Sequence, residues 1–344
     1  MKISLSIPQY NRIGYLLKSL SVIELQTYEH IEVVISDDCS TDDTEQQIKQ
    51  LMPAYKYPVV YKRNQRNLGY DRNYRQSIEL ATGDYCFILG NDDTLSEPGA
   101  IEYLAGFLEQ NNFPDIGVCN FHEQGDPQNV YKRANTTGIS GTGYEIAMKY
   151  YSCFSFVAGL IYKRETFLKY NTAAYDGSIY AQMYLGCFII SKGGVFFLIE
   201  KSLVLKDILL DGNRPNNYRQ TLAQTWKEYK VVDGGLPSVM NVLVNAFKDA
   251  GVLTQDVIYR IHRKVYLTTY PHWLLDYREQ HAFPEAVGLS RGVKPWKTKT
   301  FKLLSAWNKF RISFIYRITT VAGLLTPVFI FRMVRVRLYH YIKK

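Results

Sequence analysis

From Ala286 to Lys344 the sequence has no aspartate and no glutamate, yet it holds thirteen lysines and arginines. The residues before it carry 28 basic against 32 acidic groups, so the formal net charge of +9 belongs to this C-terminal stretch. A mildly acidic front and a cationic end imply two electrostatic tasks in one chain. Cysteine is scarce too. Cys39, Cys86, Cys119, Cys153 and Cys187 stand singly, without a C-x-x-C pair. That argues against a disulfide framework or a structural zinc site and for a reducing cytoplasm. The opening "MKISLSIPQYNR" has too short an apolar run for a secretory signal. Three phosphate and metal motifs are absent. Without G-x-G-x-x-G there is no dinucleotide fingerprint, without G-x-x-x-x-G-K-[ST] no P-loop, and without H-E-x-x-H no zinc-hydrolase helix.

What is present is enough apolar material, 47% of 344 residues, for a sizeable core and one or two domains. The 28 Tyr and 17 Phe are expected mainly in that core. Residues 1–120 alternate. "KISLSIP", "IEVVIS", "PVVYKR", "YCFIL" and "DIGVCNF" read as strands, and the segments between them as helices. One of those helices, "EPGAIEYLAGFLEQ", carries proline in its first turn. Such alternation implies a doubly wound α/β fold with a mostly parallel sheet and right-handed crossovers. Residues 123–142 are polar and Gly-rich, a loop or hairpin. "FSFVAGLIY", "SIYAQMYLGCFIISKGG" and "VFFLIE" then read as strand, helix and strand. Beyond Arg214 the pattern turns helical, including "YRQTLAQTWKEYKVV". The expected organisation is 1–215 as the α/β domain, 216–290 as a helical extension and 291–344 as a basic amphipathic tail.

The ends of the strands carry the chemistry: "PQYNR", "SDDCSTDDT", "NQRNLGYDRN" and "GNDDT". In an open α/β sheet, ligands sit outside the carboxyl ends of the strands. Asp92 and Asp93 repel each other unless a cation lies between them. With the Asn91 amide they suit Mg²⁺ or Mn²⁺, hard ions that take one or two carboxylates plus substrate phosphate oxygens. Asp93 taken alone is also suited to cap the following helix. Ser40, Thr41 and Asp42 are N-cap material for the helix after the second strand. Capping does not require both Asp37 and Asp38, so a carboxylate there is available for the N–H of a pyrimidine base. Tyr10 is placed to stack on that base and Arg12 to meet a phosphate.

"IPQYNR", "DDCSTDDT" and "NLGYDRNYRQSIELATGDYCFILGNDD", in that order and spacing, resemble the N-terminal half of family two glycosyltransferases, which have the GT-A fold. The last segment resembles in particular bacterial O-antigen glycosyltransferases of the abequosyltransferase type. The resemblance covers about residues 1–200. It implies a nucleotide-sugar donor, a divalent metal and transfer with inversion at the anomeric carbon. It also implies that Pro8, Tyr10 and Arg12 contact the nucleotide, that Asp38 holds the base and that Asp92 binds the metal, with Asn91 beside it. Asp93 is a candidate catalytic carboxylate. Two departures stand out. Gly90 replaces the first acid of the metal motif, and Ala181–Gln182 fall where many relatives carry an acidic pair that includes the general base. Asp176 in "AYDGS" is the nearest upstream acid and the candidate base; as a turn residue beside Gly177 it is equally at home. Arg214 is a further candidate for a diphosphate or acceptor contact.

In the tail, Leu303, Trp307, Phe310, Phe314 and Ile318 recur at helical spacing, with Lys302, Lys309 and Arg311 elsewhere around the helix. Ile318 to Phe331 is uncharged but interrupted by Pro327, and at 14 residues falls short of the roughly 20 needed to span a bilayer. This predicts a helix in the membrane interface, with cations on anionic headgroups; the competing reading is a core helix with a basic outer face. Nucleic acid would not need the apolar run. The expected acceptor is therefore an undecaprenyl-diphosphate-linked saccharide in O-antigen or capsule synthesis, met at the cytoplasmic face of the bacterial inner membrane. A nucleotidyltransferase and a non-catalytic nucleotide-sugar-binding scaffold are the rival readings.

Overall fold

Strands that are apolar along their whole length become the middle of a sheet covered on both faces. In chain order the α/β unit runs β1 (Ile3–Gln9), α1 (Ile13–Ile23), β2 (Ile31–Asp37), α2 (Thr44–Leu51), β3 (Val59–Arg63), α3 (Tyr70–Glu79) and β4 (Tyr85–Ile88). It continues β5 (Thr94–Leu95), α4 (Ala100–Gln110), β6 (Ile116–Glu123), β7 (Asp126–Tyr131), β8 (Gly138–Gly141) and α5 (Tyr144–Tyr150). It ends with β9 (Leu160–Lys163), α6 (Arg164–Tyr170), α7 (Ala181–Ser191) and β10 (Phe196–Lys206). The computed structural model describes residues 1–210, 212 and 235–333. It divides the chain into two units, Met1–Asn217 and Tyr218–Lys344. The boundary expected at 215, the helix expected at 218–232, Arg214 and the last four cations lie outside the described residues.

The sheet has ten strands, in the order β3-β2-β1-β4-β9-β6-β10-β5, with β7 on β6 and β8 on β10. Pairing is parallel through β3, β2, β1 and β4, and again between β6 and β10. β9 runs antiparallel between β4 and β6. The chain starts on β1, builds outward to β3 and then crosses to β4 on the other side. This reversal leaves a crevice at the carboxyl end of β1, where open sheets bind ligands. Registers align the ends: Gln9 lies opposite Asp37, and Ser6 opposite Ile88. Ile3, Leu5 and Ile7 of β1, Leu16 and Leu20 of α1, and Ile101, Leu104 and Leu108 of α4 share one core. The polar segment after β6 is a hairpin strand, β7, followed by β8. Helix α4 begins at Ala100, so Pro98 stands just before it rather than in its first turn.

The second unit is helical where described. Helix Ala306–Leu325 buries Ile312, Tyr316, Thr319 and Gly323. Gly323 lies so close to Leu274 that a Cβ there would stand 2.7 Å from the leucine Cδ1. Tyr316 donates to the Ser290 carbonyl, and the hydroxyls of Tyr270 and Thr320 share a hydrogen bond. Trp307, Phe310, Phe314, Ile318, Val321 and Leu325, all between 52% and 72% exposed, line the outward side of this helix. Arg311 and Arg317 are exposed on the same helix, so its outer side carries both large apolar side chains and cations. No described helix is long and apolar enough to cross a membrane.

Candidate active site

Gln9, fully buried at the end of β1, ties the rim together. Its side-chain amide donates to Thr44 Oγ1 and to the Asn11 carbonyl, and its Oε1 accepts from Asn91 Nδ2 at 2.9 Å. Its backbone carbonyl accepts from Asp38 N–H and Asn73 Nδ2. Sequence reading passed over Gln9 because one glutamine in a strand carries no motif signal. Pro8, directly before it, lies in β1 opposite Ser36 of β2.

After Gln9 the chain makes an unusual turn. Asn11 and Arg12, neither of them glycine, both adopt left-handed backbone, at φ 54° and 61°. Such residues cost on the order of 1–3 kcal/mol each and persist where surroundings hold them. Here Ser40 Oγ accepts Asn11 N–H, and Asn11 Oδ1 accepts Thr41 N–H. Asp42 Oδ2 accepts the N–H of Ile13, the first residue of α1, and Asp42 Oδ1 that of Thr44, the first of α2. The cap position of α2 is Asp43 rather than one of the three expected residues, but Asp42 links the first turns of both helices. The turn directs the Arg12 guanidinium onto Asp92, where Nη1 donates to Oδ2. Tyr10 stays 45% exposed at the lip.

Burial pushes the Asp92 carboxyl above its ordinary range; Arg12 pulls it down and Asp207 adds to the rise. Asp93 is more deeply buried, and burial together with the Asp92 charge raises it well above the usual carboxylate range. Asp93 was expected as a catalytic carboxylate or a helix cap. It does not cap α4, whose cap position is Gly99. Its Oδ1 accepts the N–H of Asp207, the residue after β10, while its carbonyl accepts from Ser19 Oγ. Asp207, itself paired with Lys206 Nζ at 2.6 Å, is a rim carboxylate absent from the sequence reading, because nothing local marks it. A Cβ on Gly90 would collide with Asp93 Oδ2 and stand 3.1 Å from Asp92 Oδ1. The space beside Gly90 is thus shared by the ends of two carboxylate side chains.

Asp37 and Asp38 are both buried. Asp37 Oδ1 accepts from Ser40 N–H and Oγ, and Oδ2 from the Tyr61 hydroxyl. Asp38 Oδ1 accepts from Asn64 Nδ2 and Leu68 N–H, and Oδ2 from Gly69 N–H. Asp38 thus shapes the loop between β3 and α3.

Helix α3 also controls the segment before α7. Asp71 accepts the N–H of Ile179 at 2.7 Å and of Ala181 at 3.1 Å, replacing the cap that α7 lacks in its own sequence. Ile179 is held at φ 62°, rare for a β-branched residue. Arg75, 5% exposed, grips Asp176 with Nε and Nη2 at 2.8 and 2.6 Å. Asp176, the candidate base, is thus an ion-pair partner with 25% of its side chain exposed. Gln182, in place of the acid, is buried with its Oε1 unpartnered.

For a divalent ion the rim offers Asp92, whose carboxylate already faces a cationic stand-in, Arg12. Asn91 and Asp93 turn to Gln9 and to the Asp207 backbone. Among the described residues no three His, Cys, Asp or Glu side chains converge as metal ligands. This donor set fits an ion completed by diphosphate oxygens and water, rather than one caged by protein.

The profile described as glycosyl transferase family 2 matches residues 4–180. The chain belongs to this family. Among curated relatives, this family 2 glycosyltransferase is 32% identical over 223 residues to an abequosyltransferase of Salmonella typhimurium LT2, covering 60% of this chain and 66% of that one. It is 26% identical over 125 residues to a GalNAc(5)-diNAcBac-PP-undecaprenol β-1,3-glucosyltransferase of Campylobacter jejuni, covering 36% and 40%. The chain thus spans less than two thirds of either relative's length. Its fold matches Staphylococcus aureus TarS in complex with UDP at a TM-score of 0.59, with 14% identity over 97% and 92% of the chains. It also matches a Pyrobaculum calidifontis mannosyltransferase in complex with GDP-Man and Mn²⁺ at a TM-score of 0.51, with 13% identity over 94% and 87%. The fold of this family 2 glycosyltransferase is GT-A-like, with a helical C-terminal region.

Proposed function

We propose that this family 2 glycosyltransferase moves one sugar from a nucleoside-diphosphate donor to a lipid-linked saccharide acceptor, with inversion, in cell-surface polysaccharide assembly. The observation that carries the reading is the meeting of Asp92 and Arg12 at the β1/β4 switch point, behind a backbone strained to hold them together. Tyr10 and Pro8 line the nucleotide side; Asp38 shapes the base pocket through the 64–69 loop and offers its carboxylate to the base N–H. Arg12 takes the diphosphate. Asn91 steadies the rim through Gln9, and Asp93 positions Asp92 through the Asp207 backbone. Mg²⁺ or Mn²⁺, held by Asp92 and donor oxygens, would neutralise charge on the leaving diphosphate.

The acceptor oxygen bonds to C1 of the sugar as the C1–phosphate oxygen bond breaks, through an oxocarbenium-like transition state. The acceptor hydroxyl proton passes to Asp176, whose oxygens keep lone pairs beyond those Arg75 engages, and the nucleoside diphosphate departs. The name of the Campylobacter jejuni relative supports a saccharide acceptor on undecaprenol, and that of the Salmonella typhimurium relative supports transfer of a sugar. The exposed apolar side of helix Ala306–Leu325 supports peripheral attachment to the cytoplasmic face of the bacterial inner membrane. Exposed Arg291, Lys297, Lys299, Lys302, Arg311 and Arg317 would meet anionic headgroups.

The test is a panel of nucleotide sugars assayed for metal-dependent release of the nucleoside diphosphate, with Asp92→Ala as control. One donor should be hydrolysed by the wild type and spared by the variant. No metal-dependent nucleotide binding in calorimetry would sink the reading and leave a scaffold.

A further inference from the structure

We infer that Arg12 is a resident counter-ion of Asp92, exchanged for the divalent ion only when the donor diphosphate arrives, so that the metal binds with the nucleotide and not before it. This rests on the site assignment above and concerns the order of events within it. The pair is built, not incidental. Arg12 and Asp92 lie 80 positions apart in sequence, and the guanidinium reaches Asp92 from a turn with two left-handed residues. Ser40, Thr41 and Gln9 hold that turn at Asn11 on one side, and Asp42 holds Ile13 on the other.

A cation entering without nucleotide meets a poor exchange. It must displace a guanidinium from Asp92, and among the described residues no three His, Cys, Asp or Glu side chains converge to hold it. Asp207 already carries Lys206. With a diphosphate the balance reverses. Phosphate oxygens complete the ion's shell, and the displaced guanidinium finds a bidentate anionic partner. About a third of the Arg12 side chain is exposed (36%), so the guanidinium can turn without unpacking the core. When the product leaves, Arg12 returns to Asp92 and favours release of the ion. Such coupling is reciprocal: the factor by which diphosphate tightens the ion is the factor by which the ion tightens diphosphate.

The experiment measures free Mn²⁺ by electron paramagnetic resonance during titration of the full chain, without nucleotide and with UDP, GDP, CDP or dTDP in turn. For the wild type, one nucleotide should tighten Mn²⁺ binding by about tenfold or more after correction for the Mn–nucleotide complex in solution. Arg12→Gln should tighten nucleotide-free Mn²⁺ binding by about tenfold and shrink that coupling. Adding Asp92→Asn to Arg12→Gln should abolish the gain. Equal wild-type Mn²⁺ affinity with and without every nucleotide overturns the inference, without reliance on any variant folding. So does an Arg12→Gln protein with unchanged nucleotide-free affinity. Absence of Mn²⁺ binding under all conditions would instead defeat the underlying site assignment.

Discussion

Gly90 stands directly before Asn91, Asp92 and Asp93, and the ends of two carboxylates reach into the space its side chain would need. Gly90→Ala should displace Asp93 and Asp92, costing about 1–3 kcal/mol of stability in a well-packed site. Calorimetry should show weaker nucleotide binding, and Gly90→Asp should weaken it further rather than supply a ligand. Asp92→Asn keeps the shape and loses the charge. Turnover should fall by about 10²–10³-fold, the scale for removing one group that stabilises developing charge, with the melting temperature close to wild type. Asp176→Asn retains an oxygen for Arg75, so folding should survive. The kcat should fall by roughly 10²–10⁴-fold with donor KM little changed. A plain turn aspartate would leave kcat unaltered.

Helix Ala306–Leu325 shows what spacing alone reveals about an element. Trp307, Phe310, Phe314 and Ile318 are legible in the sequence as one apolar stripe. Which way the stripe faces was not, because Ile312, Tyr316 and Gly323 form a second face that finds Leu274 and Ser290 only in the folded unit. The stripe is the outer face. Burial of a large apolar side chain is worth about 1.5–3 kcal/mol, so Phe310→Asp with Phe314→Asp should lower partition into anionic vesicles by about 10²-fold or more. The melting temperature should hold, whereas Ile312→Asp should unfold the helix. Sedimentation with phosphatidylglycerol vesicles reads the first result, and thermal melting the second. Helix α7 teaches the complement: its cap is Asp71 of α3, and no local reading of "SIYAQMY" could supply it.

At the scale of the molecule, a buried group in each unit contributes to the acid response, Glu32 in the first and His262 in the second. Burial alone would raise Glu32, but Lys2, Ser4 and Thr82 outweigh it and bring the carboxyl down to about 2. A depressed acid stabilises the fold above its unfolded value near 4.5, and that stability is lost as pH falls through about 2. In the helical unit, burial pushes His262 down to about 4, between the Ile258 carbonyl and Thr300 Oγ1. The unfolded chain takes up this proton near pH 6.5, so stability falls as pH drops from 6.5 to 4. Urea unfolding at pH 7 and pH 4 should therefore show a loss of about 2–3 kcal/mol that His262→Gln removes. Glu32→Gln should leave that window unchanged and flatten the one below pH 4.5.

By itself the sequence determined the alternation that makes the α/β sheet, the polar segments at its strand ends, the family motifs they spell and the cationic C-terminal stretch. Each is written within a few neighbouring residues, where strand and helix periodicity and turn chemistry are local matters. Only tertiary structure decided the partners. Arg12 meets Asp92 across 80 positions, and Arg75 meets Asp176 across 101. Gly90 is set beside two carboxylates, Asp38 holds a loop remote in sequence, and Asp207 is brought to the rim by β10. The charge a side chain carries is a property of its residue type; what that charge is set against depends on segments remote in the chain, and only folding brings them together.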